Sequence, residues 1–186
     1  MTLKSFLSTN PSSPKLESKM GKEALIQTIA LIINDIIEEN EDNTSKNLKN
    51  IEYKHESIFI GKGTPSISIE DYLKRIIKYT NLEESTLLIC LIYLDRFINK
   101  TNTHLLRSNI HRLIISSAVL AIKYNEDDIY DNNLYSRVGG ISAQEFCKLE
   151  LEFVKGLDYN LFVDEDFFDK YDSYIYKFNC MYVNQC

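Results

Sequence analysis

The sequence has few of the residues that interrupt helices, with three prolines and six glycines among its 186 residues. Both residue types disfavour helix interiors, so their scarcity leaves room for long helices. No apolar run reaches the roughly 18 residues that a membrane-spanning helix needs. The first 22 residues hold no apolar signal-peptide region, and a threonine at position 2 excludes N-terminal myristoylation. We therefore expect no membrane association and a location inside the cell, in the nucleus, the cytoplasm or both.

Cysteine occurs four times, as Cys90, Cys147, Cys180 and Cys186, and no two of them form a C-x-x-C pair. The three histidines do not cluster near them. Zinc sites and disulfide frameworks both depend on such spacings, so the sequence predicts no metal, no cofactor and no disulfide scaffold. Reduced thiols within helical patterns are typical of cytosolic or nuclear proteins.

The charge pattern excludes two further classes of function. A net charge of −6 without a basic stripe argues against nucleic-acid binding, because phosphate contacts need clustered Lys and Arg. The segment GKGTP at residues 61–65 fits neither G-x-x-x-x-G-K-[ST] nor G-x-G-x-x-G, so no phosphate-binding loop is predicted. No nucleophile lies near a base, and Glu126, Asp127 and Asp128 are expected to be solvated in a loop. We therefore expect no catalytic residue, no small-molecule substrate and no enzyme activity.

One stretch is apolar or small almost all the way round the helical wheel, namely LIISSAVLAIKYNE at residues 113–126. A helix that is hydrophobic on every side is buried on every side. Small residues such as Ser116, Ser117 and Ala118 let neighbouring helices approach closely. The run ends at Lys123, a charge at the rim of the core. The sequence thus predicts an all-α fold built around this helix.

The chain divides into four predicted parts. They are a disordered tail (residues 1–21), an N-terminal helix and connector (residues 22–65), a compact helical domain (residues 66–163) and a C-terminal helical extension (residues 164–186). The tail is rich in Ser, Pro and Lys. Its Ser13–Pro14 dipeptide is either a minimal site for a proline-directed kinase or, as we favour, part of an unmodified tail.

The N-terminal part contains an amphipathic pattern over residues 22–40, a polar linker over residues 41–49 and a connector that carries Ile58, Phe59 and Ile60. The helix either packs on the domain, which we favour, or docks on a partner. The connector is expected to be extended and to place apolar anchors on the domain surface.

Capping residues divide the domain into five predicted helices. These helices open at Ser68, Asn81, Ser108, Asn132 and Ser142. The fourth is short and ends at Gly139 and Gly140, since glycine is favoured just beyond a helix. A sixth helical segment over residues 165–182 is rich in Tyr and Phe and is expected to fold back on the domain.

Several motifs resemble those of the cyclin box, and specifically those of the PHO-type cyclins, called P- or U-type in other lineages. The segments that carry the resemblance are YLDRF (93–97), SNIHRLI (108–114), IKYNEDDIYDNNLYSRVGGIS (122–142), CKLELEFVKGLDYNLFV (147–163) and KYDSYI (170–175). The third segment is the most specific. The resemblance spans roughly residues 66–178, with a looser similarity over residues 22–40.

This resemblance implies five helices around a buried third helix, with flanking helices at both ends. It also implies a regulatory subunit that binds and activates a cyclin-dependent protein kinase. In that family the third and fifth helices dock on the C-helix of the kinase, whose Glu then pairs with the ATP-binding Lys, as phosphoryl transfer requires. The cyclin contributes differential binding to the active conformation and no catalytic group.

The resemblance also assigns roles to individual residues. Lys123 and Glu150 match the pair that hydrogen-bonds backbone groups flanking the C-helix of the kinase. The positions that match the lining of this contact are Leu120, Tyr124, Val154, Tyr159 and Leu161. The alternative is that Lys123 and Glu150 merely form a surface salt bridge, which is worth about 0–1 kcal/mol.

Two more positions are assigned as structural. Asp95 matches an aspartate that pairs with an arginine of the first helix in cyclins, and Arg75 is the available candidate. Arg96 is either an exposed charge or a member of a second structural pair.

The chain also departs from cell-cycle cyclins. The sequence SIEDYLKRIIKY at residues 68–79 lacks their M-R-x-I-L patch, so substrate recruitment through that groove is not expected. Only about 23 residues follow Val163, too few for a second five-helix repeat, as in the single-box PHO-type group. The competing interpretation is a cyclin-fold scaffold that binds a non-kinase protein or a peptide.

Overall fold

A computed structural model describes residues 20–46 and 58–183, without the side chains of residues 43–46. Several predictions fall outside the described residues. They are the disordered tail apart from residues 20 and 21, the Ser13–Pro14 site, residues 47–49 of the polar linker, residues 50–57 of the connector, and residues 184–186 of the C-terminal extension. The four-part division of the chain stays a prediction.

Seven α-helices form within the described residues. They are α1 (Lys22–Lys46), α2 (Ile69–Thr80), α3 (Glu84–Thr101), α4 (Ile110–Asn125), α5 (Asn132–Gly139), α6 (Ala143–Gly156) and α7 (Glu165–Tyr182). No β-strand occurs in residues 20–46 or 58–183, so the prediction of an all-α fold is confirmed.

Helix α4 lies at the centre of the domain. Every residue from Leu113 to Ile122 is buried, because the helix contacts α2, α3, α5 and α6. Small side chains let α4 approach its neighbours, and the Ser117 hydroxyl donates a hydrogen bond of 2.5 Å to the carbonyl oxygen of Cys90 on α3. The predicted buried central helix is confirmed.

Three of the five predicted helix starts are confirmed and two are wrong. Ser68 and Ser142 accept hydrogen bonds from the backbone amides of Asp71 and Glu145, at 3.0 and 3.1 Å. Asn81 does not open α3, but takes a left-handed conformation (φ 54°) that ends α2, which asparagine tolerates better than most residues.

Ser108 does not cap α4 either, because the residue before this helix is Asn109. The Asn109 carboxamide oxygen instead accepts a hydrogen bond of 2.9 Å from the amide of Leu106, which closes the preceding turn. Helix α5 begins at Asn132 as predicted, with the Asp131 carboxylate as its cap, and Gly140 ends it with φ 71°. Glycine adopts this positive φ without the steric cost that a Cβ would add.

The prediction of a linker at residues 41–49 is wrong for residues 41–46, because α1 continues to Lys46. Contacts with the loop between α3 and α4 hold this end of the helix. Asn40 donates a hydrogen bond of 3.1 Å to the carbonyl oxygen of Leu105, and the Glu41 carboxylate accepts from the amide and the guanidinium of Arg107. These tertiary contacts stabilise a polar segment whose composition alone suggests a loop.

The flanking helices pack on the domain, as favoured above. Helix α1 buries its apolar side against α2, α3 and α7. The Asn179 side chain of α7 donates a buried hydrogen bond of 2.7 Å to the Thr28 hydroxyl of α1. Of the three apolar residues of the connector only Phe59 is an anchor: it is buried edge-on against Phe97 with ring centroids 5.3 Å apart, whereas Ile58 and Ile60 are exposed.

The helices that the structure describes are all too short or too polar to cross a membrane. Within the same residues, no group of three or more metal-ligating side chains is arranged to hold a metal ion.

Candidate protein-docking site

An ion pair joins the end of the central helix to α6. The Lys123 ammonium lies 2.5 Å from a carboxylate oxygen of Glu150, and the two side chains keep 27% and 20% of their surface exposed. Lys123 is the first polar side chain after the buried run of α4, and Glu150 follows the buried Leu149. The pair therefore lies at the rim of the core, where a partner can reach it.

Helix α5 supplies a third member of this network. The Asn132 carboxamide oxygen accepts a hydrogen bond of 2.8 Å from Lys123, and its amide nitrogen lies 3.5 Å from Glu150 and 3.4 Å from the Cys147 thiol. The Lys123 ammonium also lies 5.8 Å from the ring centroid of Tyr135. Asn132 thus fixes the position of Lys123, a role that the sequence did not reveal.

The predicted contact residues differ widely in exposure. Tyr124 and Tyr159 are 53% and 67% exposed, whereas Leu120 is only 8% exposed and belongs mainly to the core. Val154 and Leu161 are half-buried. On α6, Val154 lies one turn beyond Glu150 and shares its side of the helix. Four of the five lining residues can therefore contact a partner, while Leu120 offers little surface.

The loop after α6 presents Tyr159 through an uncommon backbone conformation. Asp158 and Tyr159 both have positive φ, at 52° and 57°. Two successive non-glycine residues in this region cost about 1–2 kcal/mol each. Lys100 on α3 offsets part of this cost, because its ammonium binds the Leu157 carbonyl oxygen at 3.1 Å and the Asp158 carboxylate at 2.7 Å.

The YLDRF segment holds the remainder of this loop. Tyr93 donates a hydrogen bond of 2.7 Å to the carbonyl oxygen of Leu161. Arg96 donates to the carbonyl oxygens of Asn160 and Phe162 at 3.3 and 2.8 Å. The Arg96 guanidinium also lies 5.6 Å from the ring centroid of Phe167. Arg96 is thus a structural residue of the loop, which the sequence left undecided.

Tyr93 also connects this loop to the end of α4. Burial raises the pKa of Tyr93 above its ordinary value. The Asn125 side chain at the end of α4 lowers the pKa of Tyr93, as the Arg96 guanidinium does, while Tyr124 raises it. The end of α4 thus influences the same buried tyrosine that binds the loop of Tyr159.

Two exposed apolar residues near these positions were not predicted. Leu151, next to Glu150 on α6, is 49% exposed, and Phe162 of the loop is 69% exposed. In the sequence, the only indication of their role was that Leu151 follows Glu150 and Phe162 follows Leu161, two residues that the resemblance had assigned to the contact. Together with Tyr124, Tyr159 and the Lys123–Glu150 pair, Leu151 and Phe162 make up the surface that we call the α4–α6 face.

The predicted pair of Arg75 with Asp95 is wrong. Arg75 is exposed on α2 and donates a hydrogen bond of 3.0 Å to the carbonyl oxygen of Arg137. Buried residues such as Tyr72 and Ile76 form the side of α2 that faces the core, whereas Arg75 lies on the exposed side. Asp95 is buried and accepts a hydrogen bond of 2.9 Å from Asn99, as suits a structural residue.

The α4–α6 face provides binding groups rather than reactive groups. It offers an ammonium, a carboxylate and a carboxamide beside exposed aromatic rings, which suits recognition of polar backbone groups within an apolar contact. The nearby Cys147 is exposed, whereas Cys90 is buried and its pKa is raised by burial to about 12.

Comparisons with known proteins agree with this architecture. A family model described as "Cyclin" matches residues 23–161. Cyclin-U4-1 of Arabidopsis thaliana is 42% identical over 122 residues, which cover 65% of this chain and 60% of that relative. Cyclin-P3-1 of Oryza sativa subsp. japonica is 34% identical over 164 residues, 88% of this chain and 67% of the relative.

A yeast protein gives a similar match. PHO85 cyclin-7 of Saccharomyces cerevisiae is 33% identical over 175 residues, 84% of this chain and 61% of the relative. The chain thus spans roughly 60% to 67% of the length of these curated relatives.

Proposed function

Because this chain belongs to the cyclin family, within its PHO-type group, we propose that it is a regulatory subunit that binds and activates a cyclin-dependent protein kinase. The observation that carries the proposal is the partly exposed Lys123–Glu150 pair at the end of the central helix, beside the exposed Tyr124 and Leu151 that follow its two members in the sequence.

The ion pair retains groups with which it can bind a partner. A lysine ammonium has three protons, and the structure directs two of them to Glu150 and Asn132. Among the residues that the structure describes, the second carboxylate oxygen of Glu150 has only the long contact of 3.5 Å with Asn132. A donor and an acceptor thus remain for the unpaired carbonyl and amide groups at the ends of a kinase helix. Bonds of this kind are charge-assisted and fix the register of the contact.

The exposed apolar residues supply the area of the interface. Tyr124, Leu151, Tyr159 and Phe162 each expose about half of their surface or more. Burying apolar surface gains about 25 cal/mol per Å² before the costs of association. Tyrosine and other large side chains dominate binding energy at the centre of interfaces. These residues distinguish the α4–α6 face from an isolated surface salt bridge.

Activation follows from preferential binding. If the α4–α6 face fits the C-helix only in its inward position, binding shifts the kinase towards the state in which its Glu–Lys pair is formed. The loop held by Tyr93, Arg96 and Lys100 keeps Tyr159 in place before the kinase arrives, which reduces the entropy lost on binding. This chain supplies binding energy only, and the kinase supplies the catalytic groups.

The test is co-expression of the chain with the cyclin-dependent kinases of its organism, one at a time. Co-elution and phosphorylation of a generic proline-directed substrate are measured for each. The proposal expects one kinase to co-elute with a large rise in activity. Co-elution without activity, even after phosphorylation of the activation loop, would indicate the scaffold alternative, and no co-elution with any of them would contradict the proposal.

A pair of variants then tests the docking residues. Lys123→Ala with Glu150→Ala should abolish co-elution and activation. The matched control is Lys74→Ala with Glu70→Ala, which removes a salt bridge of 2.8 Å on α2, away from the α4–α6 face. If the first double variant activated the kinase as well as the control does, the docking assignment would be wrong.

A further inference from the structure

The turn between the Phe59 anchor and α2 contains a threonine followed by a proline, Thr64–Pro65. Within residues 20–46 and 58–183 it is the one place where a serine or a threonine precedes a proline. The glycine spacing of this segment excludes a nucleotide-binding loop, but not a role for the threonine itself. Thr64 is exposed and Pro65 is half-buried. The Thr64 hydroxyl is therefore accessible to an enzyme that acts on the surface of the folded chain.

The backbone around this threonine can change its conformation at little cost. Residues 62–66 belong to no helix, and among the described residues they make no backbone hydrogen bond. The turn is held at its two ends instead. The Gly61 amide donates to the carbonyl oxygen of Ser108 at 2.8 Å. The carbonyl oxygen of Ile67 lies 3.0 Å from Nε2 of His111. A kinase can therefore draw the threonine into its active site without breaking a backbone hydrogen bond of the fold.

Pro65 indicates which class of kinase fits. Proline has no backbone N–H, so a substrate pocket that encloses the residue after the acceptor needs no hydrogen-bond partner for it. Any other residue there would leave a buried amide unpaired, which costs about 1–3 kcal/mol. A kinase with such a pocket selects Thr64 over Ser66 and Ser68, which both precede an isoleucine. Ser68 is also occupied as the cap of α2, where it accepts a hydrogen bond from the amide of Asp71.

The guanidinium group of Arg112 on α4 lies against the same turn. A Cβ atom added to Gly61 would collide with Nη1 of Arg112 and would lie 3.0 Å from the carbonyl oxygen of Gly63. Both groups are therefore within a few ångströms of one point. Since Gly63 is bonded to Thr64, a phosphate on the Thr64 hydroxyl starts from the residue next to that point. The phosphate can then reach the guanidinium after a small movement of the turn.

One edge of the Arg112 guanidinium is unoccupied. Its Nε donates to a carboxylate oxygen of Glu145 at 2.9 Å, and Nη2 lies 2.8 Å from the same oxygen. Nη1, which faces Gly61, has no hydrogen-bond partner among the described residues. Glu145 is a counter-charge that opposes a second anion, but Lys62 supplies a second cation from an exposed position two residues before Thr64. Both cations retain N–H donors for charge-assisted bonds to a phosphate.

The turn lies near the start of α4, whereas the Lys123–Glu150 pair lies near its end. Arg112 is eleven residues before Lys123, which corresponds to about 16 Å along the helix axis. The connector that carries the turn leads into α2 and packs Phe59 against aromatic rings of α3 and α6. A phosphate on the turn therefore acts on the attachment of the connector rather than on the Lys123–Glu150 pair.

We propose that Thr64 is a phosphorylation site for a proline-directed protein kinase and that Arg112 and Lys62 bind the phosphate. The kinase transfers the γ-phosphoryl group of ATP to Oγ1 of Thr64. The new P–O bond replaces the bond between the γ-phosphorus and the bridging oxygen, ADP leaves, and the hydroxyl proton passes to a base of the kinase. The product carries about −1.5 to −2 charges at pH 7. The phosphate then ties the connector to the start of α4, beside the hydrogen bond from Gly61 to Ser108.

The first experiment treats the full chain with MgATP and a proline-directed kinase that needs no cyclin, so its result is independent of the proposed activation of a kinase. Mass spectrometry should find Thr64 phosphorylated, and Thr64→Val should remove this site. Ser13→Ala, which removes the Ser–Pro dipeptide of the tail, is the matched control and should leave the phosphorylation of Thr64 unchanged. An unmodified Thr64 in the folded chain would overturn the proposal, whether or not the kinase accepts a peptide of residues 58–70.

The second experiment follows the titration of the phosphate by phosphorus NMR, in the folded chain and in urea. Binding to Arg112 and Lys62 should lower the second pKa of the phosphothreonine by about one unit relative to the unfolded chain, because neighbouring cations favour the dianion. Arg112→Gln should raise this pKa again, and so should Lys62→Gln, an exposed position where the change leaves the fold intact. Lys170→Gln removes one positive charge from α7 and should leave the pKa low. Equal pKa values in the folded and unfolded chains, or equal effects of all three variants, would show that Arg112 and Lys62 do not bind the phosphate.

Discussion

The buried hydroxyl of Tyr93 donates a hydrogen bond of 2.7 Å to the carbonyl oxygen of Leu161. Arg96, less than one turn further along α3, donates to the carbonyl oxygens of Asn160 and Phe162. Three consecutive carbonyl groups of the loop after α6 are thus bound by one helix. This arrangement makes the position of Tyr159 and Phe162 depend on α3, which itself contributes no residue to the α4–α6 face.

We expect Tyr93→Phe to lower the free energy of unfolding by about 0.5–1.5 kcal/mol, because it removes one buried hydrogen bond and leaves a carbonyl oxygen unpaired. Kinase affinity should fall as well, since the loop that presents Tyr159 becomes less ordered. Urea denaturation measures the first effect and co-elution with the kinase the second.

Tyr171→Phe is the matched control, because the Tyr171 hydroxyl is equally buried and has no hydrogen-bond partner among the described residues. Its removal should leave the protein as stable as before, or slightly more stable. Equal losses of stability in both variants would show that the bond to Leu161 contributes nothing specific.

Gly156→Ala should destabilise the protein by about 1–3 kcal/mol, the usual cost of overpacking a core. A Cβ atom at this position would lie only 2.3 Å from a ring carbon of Phe97, so the packing of α6 on α3 has to open. In an open helical position the same change would be stabilising, because alanine has the higher helix propensity. Thermal unfolding measures the effect, and Gly63→Ala, where nothing lies within 4 Å, should leave the melting temperature unchanged.

The ionisation of His111 should make the free energy of unfolding depend on pH below 6.5, the ordinary pKa of a histidine. Burial lowers the pKa of His111, with a smaller lowering from Arg112, and the hydrogen bond to the Ile67 carbonyl oxygen opposes both only in part. Its second ring nitrogen is buried without a partner among the described residues, so a proton there would find no acceptor.

Because the folded pKa is the lower one, the unfolded chain takes up the proton first as the pH falls, and folding loses stability from about pH 6.5 downwards. Urea denaturation between pH 7.5 and 5.5 should therefore show a steeper loss for the wild type than for His111→Gln. Asp35 and Asp172, whose pKa values burial raises, titrate in both proteins and cancel in the comparison. Parallel pH profiles would contradict the prediction.

Cys147 should report the binding of the kinase. It is exposed one turn before Glu150 on α6, whereas Cys90 is buried with a pKa raised to about 12 and should not react. Iodoacetamide labelling followed by mass spectrometry should show Cys147 modified in the free chain and protected in the complex. The half-buried Cys180 of α7 lies outside the α4–α6 face and should be labelled equally in both. Unchanged labelling of Cys147 in a stable complex would place the kinase elsewhere.

Local patterns were sufficient to predict most of the fold. The uninterrupted apolar and small residues of α4 and the serine caps of α2 and α6 depend only on neighbouring positions, and the structure agrees with both. The end of α1 depends instead on Arg107, which is 66 residues away from Glu41. No window of the sequence around Glu41 contains that contact, so its polar composition was interpreted as a loop.

The site was only partly predictable for a related reason. Lys123 and Glu150 do lie together, while their role in docking rests on the experiments above. Arg75, Tyr93 and Arg96 all bind backbone carbonyl oxygens, which every residue carries and which leave no pattern in a sequence. The prediction that Arg75 pairs with the Asp95 carboxylate was therefore wrong. The hydrogen bond of Tyr93 to the loop after α6 could be recognised only from the structure, which places α3 beside that loop.

The bond between Thr28 and Asn179 has a consequence for how the chain is made. The two residues are 151 positions apart, so at about 5–20 residues per second a ribosome adds Asn179 roughly 8–30 s after Thr28. During that interval the isoleucine-rich side of α1 lacks the cover that α7 later provides. The nascent chain therefore carries a partly covered apolar helix through most of its synthesis, and we expect chaperones that hold such segments to bind it there until α7 emerges.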